Sequence, residues 1–92
     1  MKYVLLGTTT KEWHSSPDAA KKVKAKLKEL NIKLDAVYHT HGDVDFVDVV
    51  EVPNAEAVMA LSIWYLKQGY GRIHAMPTFD HDAVEAAVKK AA

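Results

Sequence analysis

The sequence predicts an α+β fold in the order β-α-β-β-α-β, closed by one further helix, with two chains joined into a dimer. Three observations carry this expectation. Two apolar, β-branched segments flank a turn at Gly42, two segments with helical spacing lie on either side of that hairpin, and the strand after Gly42 is apolar on both faces near its middle. A chain of 92 residues is enough for one domain with one core, spanning residues 1–92.

Tyr3 to Thr8 is aromatic, β-branched and leucine-rich with no helical period, and reads as the first strand. Thr8 to His14 follows as a polar loop holding one large aromatic residue, Trp13. Ser15-Ser16-Pro17-Asp18 predicts a helix start: Ser16 caps, Pro17 suits the first helical position, and Asp18 faces the positive end of the dipole. Ala20, Val23, Leu27 and Leu30 then share a face, Lys21, Lys22, Lys24, Lys26 and Lys28 take the others, and Asn31 ends the helix.

Ile32 to His41 alternates as a second strand and Asp43 to Val52 as a third, with His41-Gly42-Asp43 supplying hairpin turn chemistry. Pro53 breaks the third strand. Asn54 caps a helix from about Ala55 to Gln68, and Gly69 stops it. Tyr70 to Phe79 predicts a fourth strand, broken late by Pro77. Asp80 or Asp82 starts a short final helix with Val84, Ala87, Val88 and Ala91 on one face. Right-handed crossovers arrange these elements as a ferredoxin-like sheet with both crossover helices on one face.

The third strand carries the expectation of a dimer. Val47 and Val49 point to one side and Phe46 and Val50 to the other, whereas a strand with one wet face is apolar on one set only. Two helices cover one face; leaving the other wet forgoes about 1.5–3 kcal/mol per large side chain. A second copy of the chain is the expected cover, giving an α/β barrel of two facing sheets. The terminal helix, folded back, is the competing one. The second helix agrees: Val58, Leu61 and Tyr65 form one stripe and Met59, Ile63 and Leu66 another, and a helix apolar most of the way round contacts more than its own sheet.

Composition excludes several classes. The chain is 49% hydrophobic, against wholesale disorder. Twelve Lys plus Arg balance twelve Asp plus Glu, so no net charge draws it to nucleic acid or an anionic membrane. The lysines of the first helix stand with a single arginine in the whole chain and no interleaved aromatics, as on a solvated face. Without cysteine there are no disulfides and no thiolate chemistry. No apolar run reaches the roughly 18 residues of a membrane span, and the opening stretch is too short for a signal peptide, so a cytoplasmic protein is expected. No phosphate loop, Gly-x-Ser-x-Gly or His-Glu-x-x-His is present.

Five histidines, His14, His39, His41, His74 and His81, raise the question of a metal. On a strand His39 and His41 share a face, and Asp43 and Asp45 lie just across the hairpin, so His39, His41, Asp43 and Asp45 are candidate ligands for a divalent ion. A hairpin centred on Gly42 sets His39 against Asp45; a turn at Gly42-Asp43 sets it against Phe46. The competing reading is a solvated hairpin end. On the fourth strand Ile73 and Ala75 suit the helix side, leaving Arg72, His74 and Met76 for the other. Arg72 and His74 there are candidates to hold a carboxylate or carbonyl, and His74 is a candidate base. Asp48, inside an apolar strand, is either partnered, by a lysine or by Arg72 at the dimer seam, or has a raised pKa and serves as a base. Trp13 is a candidate lid over a pocket; Tyr38 and Tyr70 are core or seam aromatics.

The run Tyr38-His39-Thr40-His41-Gly42-Asp43-Val44-Asp45-Phe46-Val47, continuing to Glu51-Val52-Pro53-Asn54, resembles the signature region of the GYD-domain family. Gly42 and Asp45 match its Gly-x-Tyr-Asp-like run, Val44 stands where the family has Tyr, and Asp48 interrupts a strand that is usually apolar. Tyr3-Val4-Leu5-Leu6, Ser16-Pro17 and Gly69 match as well. The resemblance implies a ferredoxin-like chain of the dimeric α/β barrel type and no particular reaction. The wider barrel group holds cofactor-free monooxygenases, haem proteins, isomerases and binding proteins.

The expected function is a homodimer, or an assembly of dimers, that binds a small molecule between the sheet and its cover. Its polar contacts are His39, Asp45, Arg72 and His74, with Trp13 at the mouth. An alternative is a cofactor-free monooxygenase or isomerase with His74 or Asp48 as base and Arg72 stabilising an oxyanion. A third is an interaction domain with a His/Asp metal site. No cofactor is required by the sequence.

Overall fold

Tyr3, Leu5 and Gly7 alternate with Val4 and Leu6, so β1 (Lys2–Gly7) offers an apolar set to each side. In a computed structural model that describes all 92 residues, Tyr3, Leu5 and Gly7 are buried against helices and the other set faces away. The order is β1, α1 (Lys11–Ser15), α2 (Ala19–Glu29), β2 (Lys33–His39), β3 (Phe46–Glu51), α3 (Ala55–Lys67), β4 (Ile73–Pro77) and α4 (His81–Lys90). The four strands form one sheet in the order β2-β3-β1-β4, every neighbouring pair antiparallel. This is the α+β arrangement expected: each crossover helix joins two parallel strands that hold a third between them.

α3 covers the sheet with Ala57, Val58, Leu61 and Tyr65, all buried, and α2 with Ala19 and Leu27. Together with Tyr3, Leu5, Ile32, Val50 and Val52 they form the core. Asn54 caps α3 by accepting from the Ala57 amide at 2.9 Å, and Gly69 follows with a φ of +79°, the left-handed turn that glycine tolerates best. Asp80 caps α4 in the same way, accepting from the Ala83 amide at 2.8 Å.

Three local expectations are corrected, and one irregularity joins them. The segment read as a loop contains α1, started by Thr10, whose hydroxyl accepts from the Trp13 amide. Ser16 consequently closes α1 rather than opening the next helix, and α2 begins at Ala19 behind Asp18, whose side chain makes no capping bond. The hairpin strands end earlier, at His39 and Phe46, which pair with each other, so the register is the Phe46 alternative and His39 does not face Asp45. Finally, a bulge at Asp35 inserts an extra residue between the Leu34–Val50 and Ala36–Val49 pairs. An inserted residue reverses the side-chain parity of a strand. Leu34, Val37 and His39 therefore share the helix side, while Ala36 and Tyr38 face the other.

That other face has no cover within the chain. Val4, Leu6, Val47 and Val49 are half-buried at its centre, and Tyr38 and Met76 at its edges are 62% and 44% exposed. α4 does not fold back over it, and no residue of α4 is buried. The outer stripe of α3, Met59, Ile63 and Leu66, is exposed as well. No helix is long and apolar enough to cross a membrane.

Candidate functional site

Asp48 shares the helix side of β3 with Phe46 and Val50, because it pairs with the buried Leu5 of β1 on one side and with Val37 of β2 on the other. Between this part of the sheet, α1 and α2 lies a cavity of about 270 Å³. Leu27, Val23 and Ala20 of α2, Leu34 and Val37 of β2 and Phe46 form its apolar wall; Trp13, His39, Asp48, Tyr65 and Lys24 bring the polar groups. The α1 turn explains Trp13: the helix started by Thr10 lays the indole 6.1 Å from Tyr65 and edge-on to Tyr70 at 5.5 Å. Tyr65 also meets the ring of Phe46 edge-on at 6.1 Å, and its hydroxyl donates to the Thr8 carbonyl at 3.4 Å.

Asp48 is the one acidic residue in the lining of this cavity. Its Oδ1 is buried with no hydrogen-bond partner, and the carboxylate belongs to no ion pair. Burial pushes its pKa up to about 6, against a smaller lowering by His39. The hydroxyl of Tyr65 is pushed up to about 12, first by burial and then by the negative charges of Asp48 and Asp45. The site thus holds a carboxyl group that is ionised at neutral pH yet poorly solvated, a condition that costs free energy until a donor or cation reaches it.

The sequence-derived candidates divide among three places. Trp13, His39 and Asp48 meet in the cavity, on the helix side rather than between the sheet and a second copy. Asp45 is not part of its lining. Asp45 accepts from the Thr9 amide at 2.7 Å and the Thr9 hydroxyl at 3.2 Å, tying the hairpin end to the loop after β1. Arg72 and His74 are exposed at the far edge of the sheet, lining a separate depression with Ser62, Ile63, Leu66 and Ile73. His74 pairs with Leu6 and faces away from the helices, whereas Asp48 faces toward them. In one chain the two do not meet on one substrate, and Arg72 does not partner Asp48. His41 and Asp43 lie exposed in the hairpin loop, and no three His, Asp or Glu side chains of the chain come together as a metal site. Tyr70 is a core aromatic, 3% exposed, and Tyr38 stands on the open face.

Tyr65 and Phe46 escaped the sequence reading as site residues. Both belong to apolar stripes, and only the approach of α3 to β3 turns the last member of the Val58-Leu61-Tyr65 stripe into a wall beside a carboxylate. The one signal available in the sequence was Asp48 itself, a charge amid valines.

A family model described as the GYD domain matches residues 3–88. No curated protein and no solved structure matches the chain.

Proposed function

The chain belongs to the GYD-domain family, and from the cavity under α2 we propose that it is a small-molecule-binding protein whose ligand sits there. The observation that carries this reading is Asp48, a carboxylate with a buried, unpartnered Oδ1, in the wall of a mostly apolar cavity. Pockets for small ligands combine a mostly apolar lining with a few polar groups that fix orientation, at volumes from about 300 Å³ upward. At about 270 Å³ this cavity lies just below that range and suits a molecule of about one substituted ring. The test is a titration of ¹⁵N-labelled protein with benzyl alcohol. The expected result is saturable amide shifts centred on Trp13, Val37, Asp48 and Tyr65, abolished by Val37→Trp, which fills the cavity from its exposed rim. Shifts elsewhere only, or none at millimolar probe, contradict the reading.

A second observation supports self-association. The open sheet face sets Val4, Leu6, Val47 and Val49 side by side, with no helix of the same chain over them. Two such faces pack at about 10 Å, as facing sheets do. We propose a homodimer through this face. Light scattering of the 92-residue chain is expected to report twice 10.2 kDa at micromolar concentration, and Val47→Lys the single-chain mass. A wild-type particle of single-chain mass contradicts the dimer and leaves the cavity reading untouched.

A further inference from the structure

The cavity also states what kind of molecule it fits. Its buried Oδ1 has no donor, although two cationic or titratable groups line the same space: Lys24 from α2 and His39 from β2. Neither forms an ion pair with Asp48. From α3, Tyr65 has its hydroxyl committed to the Thr8 carbonyl. The three aromatic rings of the wall are inclined to one another, Trp13 to Tyr65 at 47° and Phe46 to Tyr65 at 77°, with none stacked face to face. Aromatic faces attract cations through the ring quadrupole, most strongly where water is excluded. An unpaired carboxylate beside such rings is the arrangement that recognises an organic ammonium group.

Resting on the small-molecule reading above, we propose that the ligand class is a small organic amine in its ammonium form. Its N–H group donates to the Asp48 carboxylate and its hydrocarbon part lies among Trp13, Phe46 and Tyr65. The size of the cavity limits the amine to one ring or a short branched chain.

Three probes of one shape separate the outcomes: benzylammonium, benzyl alcohol and benzoate, each titrated at pH 7.5 against the wild-type chain and Asp48→Asn, with cavity amides as readout. Benzylammonium is expected to bind the wild type at least about tenfold more tightly than benzyl alcohol, with benzoate weakest, as a charge-assisted hydrogen bond implies. In Asp48→Asn the preference falls to about one while benzyl alcohol still binds, which also shows that the variant is folded. Equal binding of amine and alcohol by the wild type, or an amine preference that survives in Asp48→Asn, overturns the amine assignment and leaves the cavity reading standing. If none of the three shifts the cavity amides, both fail.

Discussion

Asp48 stands directly opposite Leu5 in the β1–β3 ladder, and Leu5 is 2% exposed. Cross-strand partners share a face of the sheet, so the pairing that buries Leu5 aims a carboxylate at the helix layer. The pKa of about 6 is the cost of that placement, against an ordinary value of 3.8. The folded chain holds the proton more tightly than the unfolded one. The associated stability is therefore fully present below about pH 4 and is lost as the pH rises through about 6. A shift of two units corresponds to about 3 kcal/mol; solvent screening of a partly exposed carboxyl reduces this to about 1–2 kcal/mol. Asp48→Asn is expected to gain that much on the wild type between about pH 4 and pH 7 in urea unfolding. A difference between the two proteins that does not change with pH contradicts the placement.

His39 lowers the pKa of Asp48 through its charge. His39→Ala is therefore expected to move the Asp48 titration to a higher pH than in the wild type. An unchanged midpoint would mean that the bulge at Asp35 does not bring His39 to the helix side.

Gly7 pairs with Phe46, and a Cβ at Gly7 would occupy the space of the Phe46 ring. The absent side chain is what lets the ring lie over β1 and meet Tyr65. Gly7→Ala is expected to destabilise the fold by about 1–3 kcal/mol, as overpacking does, lowering the melting temperature by about 4–8 °C per kcal/mol. Displacing the ring also weakens benzyl alcohol binding. A variant with wild-type melting and binding contradicts this account of the cavity wall.

Asp45 lies outside the cavity lining and is bonded to Thr9. Its two bonds to Thr9 hold the hairpin end against the loop leading into α1, and hydrogen bonds to a charged group contribute about 1.5–3 kcal/mol. Asp45→Ala is expected to melt earlier, yet to bind benzyl alcohol within about twofold of the wild type once folded. Loss of binding in a folded Asp45→Ala protein would move Asp45 into the site.

Most of the architecture was legible because its signals are local. Asn54, Gly69 and Asp80 mark helix ends by their own chemistry, and the element order with right-handed crossovers leaves few sheets to choose from. The site was legible only in part. Asp48 announced itself as a charge in an apolar strand, but its face depends on pairing with β1. His39 depends on the single extra residue at Asp35, which carries no sequence mark and reverses the parity of the strand beyond it. Trp13 depends on α1, five residues long with no apolar period. Its start rests on one hydroxyl cap in a run of three threonines. Tyr65 reads as core from either direction until β3 is placed beside it.

The most direct measurement is the pH titration of the Asp48 side-chain carboxyl, followed by carbon-13 NMR in the wild-type protein without added probe. A midpoint near 6 is the result expected of a desolvated carboxyl lacking a partner inside the cavity. A midpoint at or below the ordinary 3.8 would mean that Asp48 is solvated or already paired, and the cavity would lose the group on which its ligand is proposed to bind.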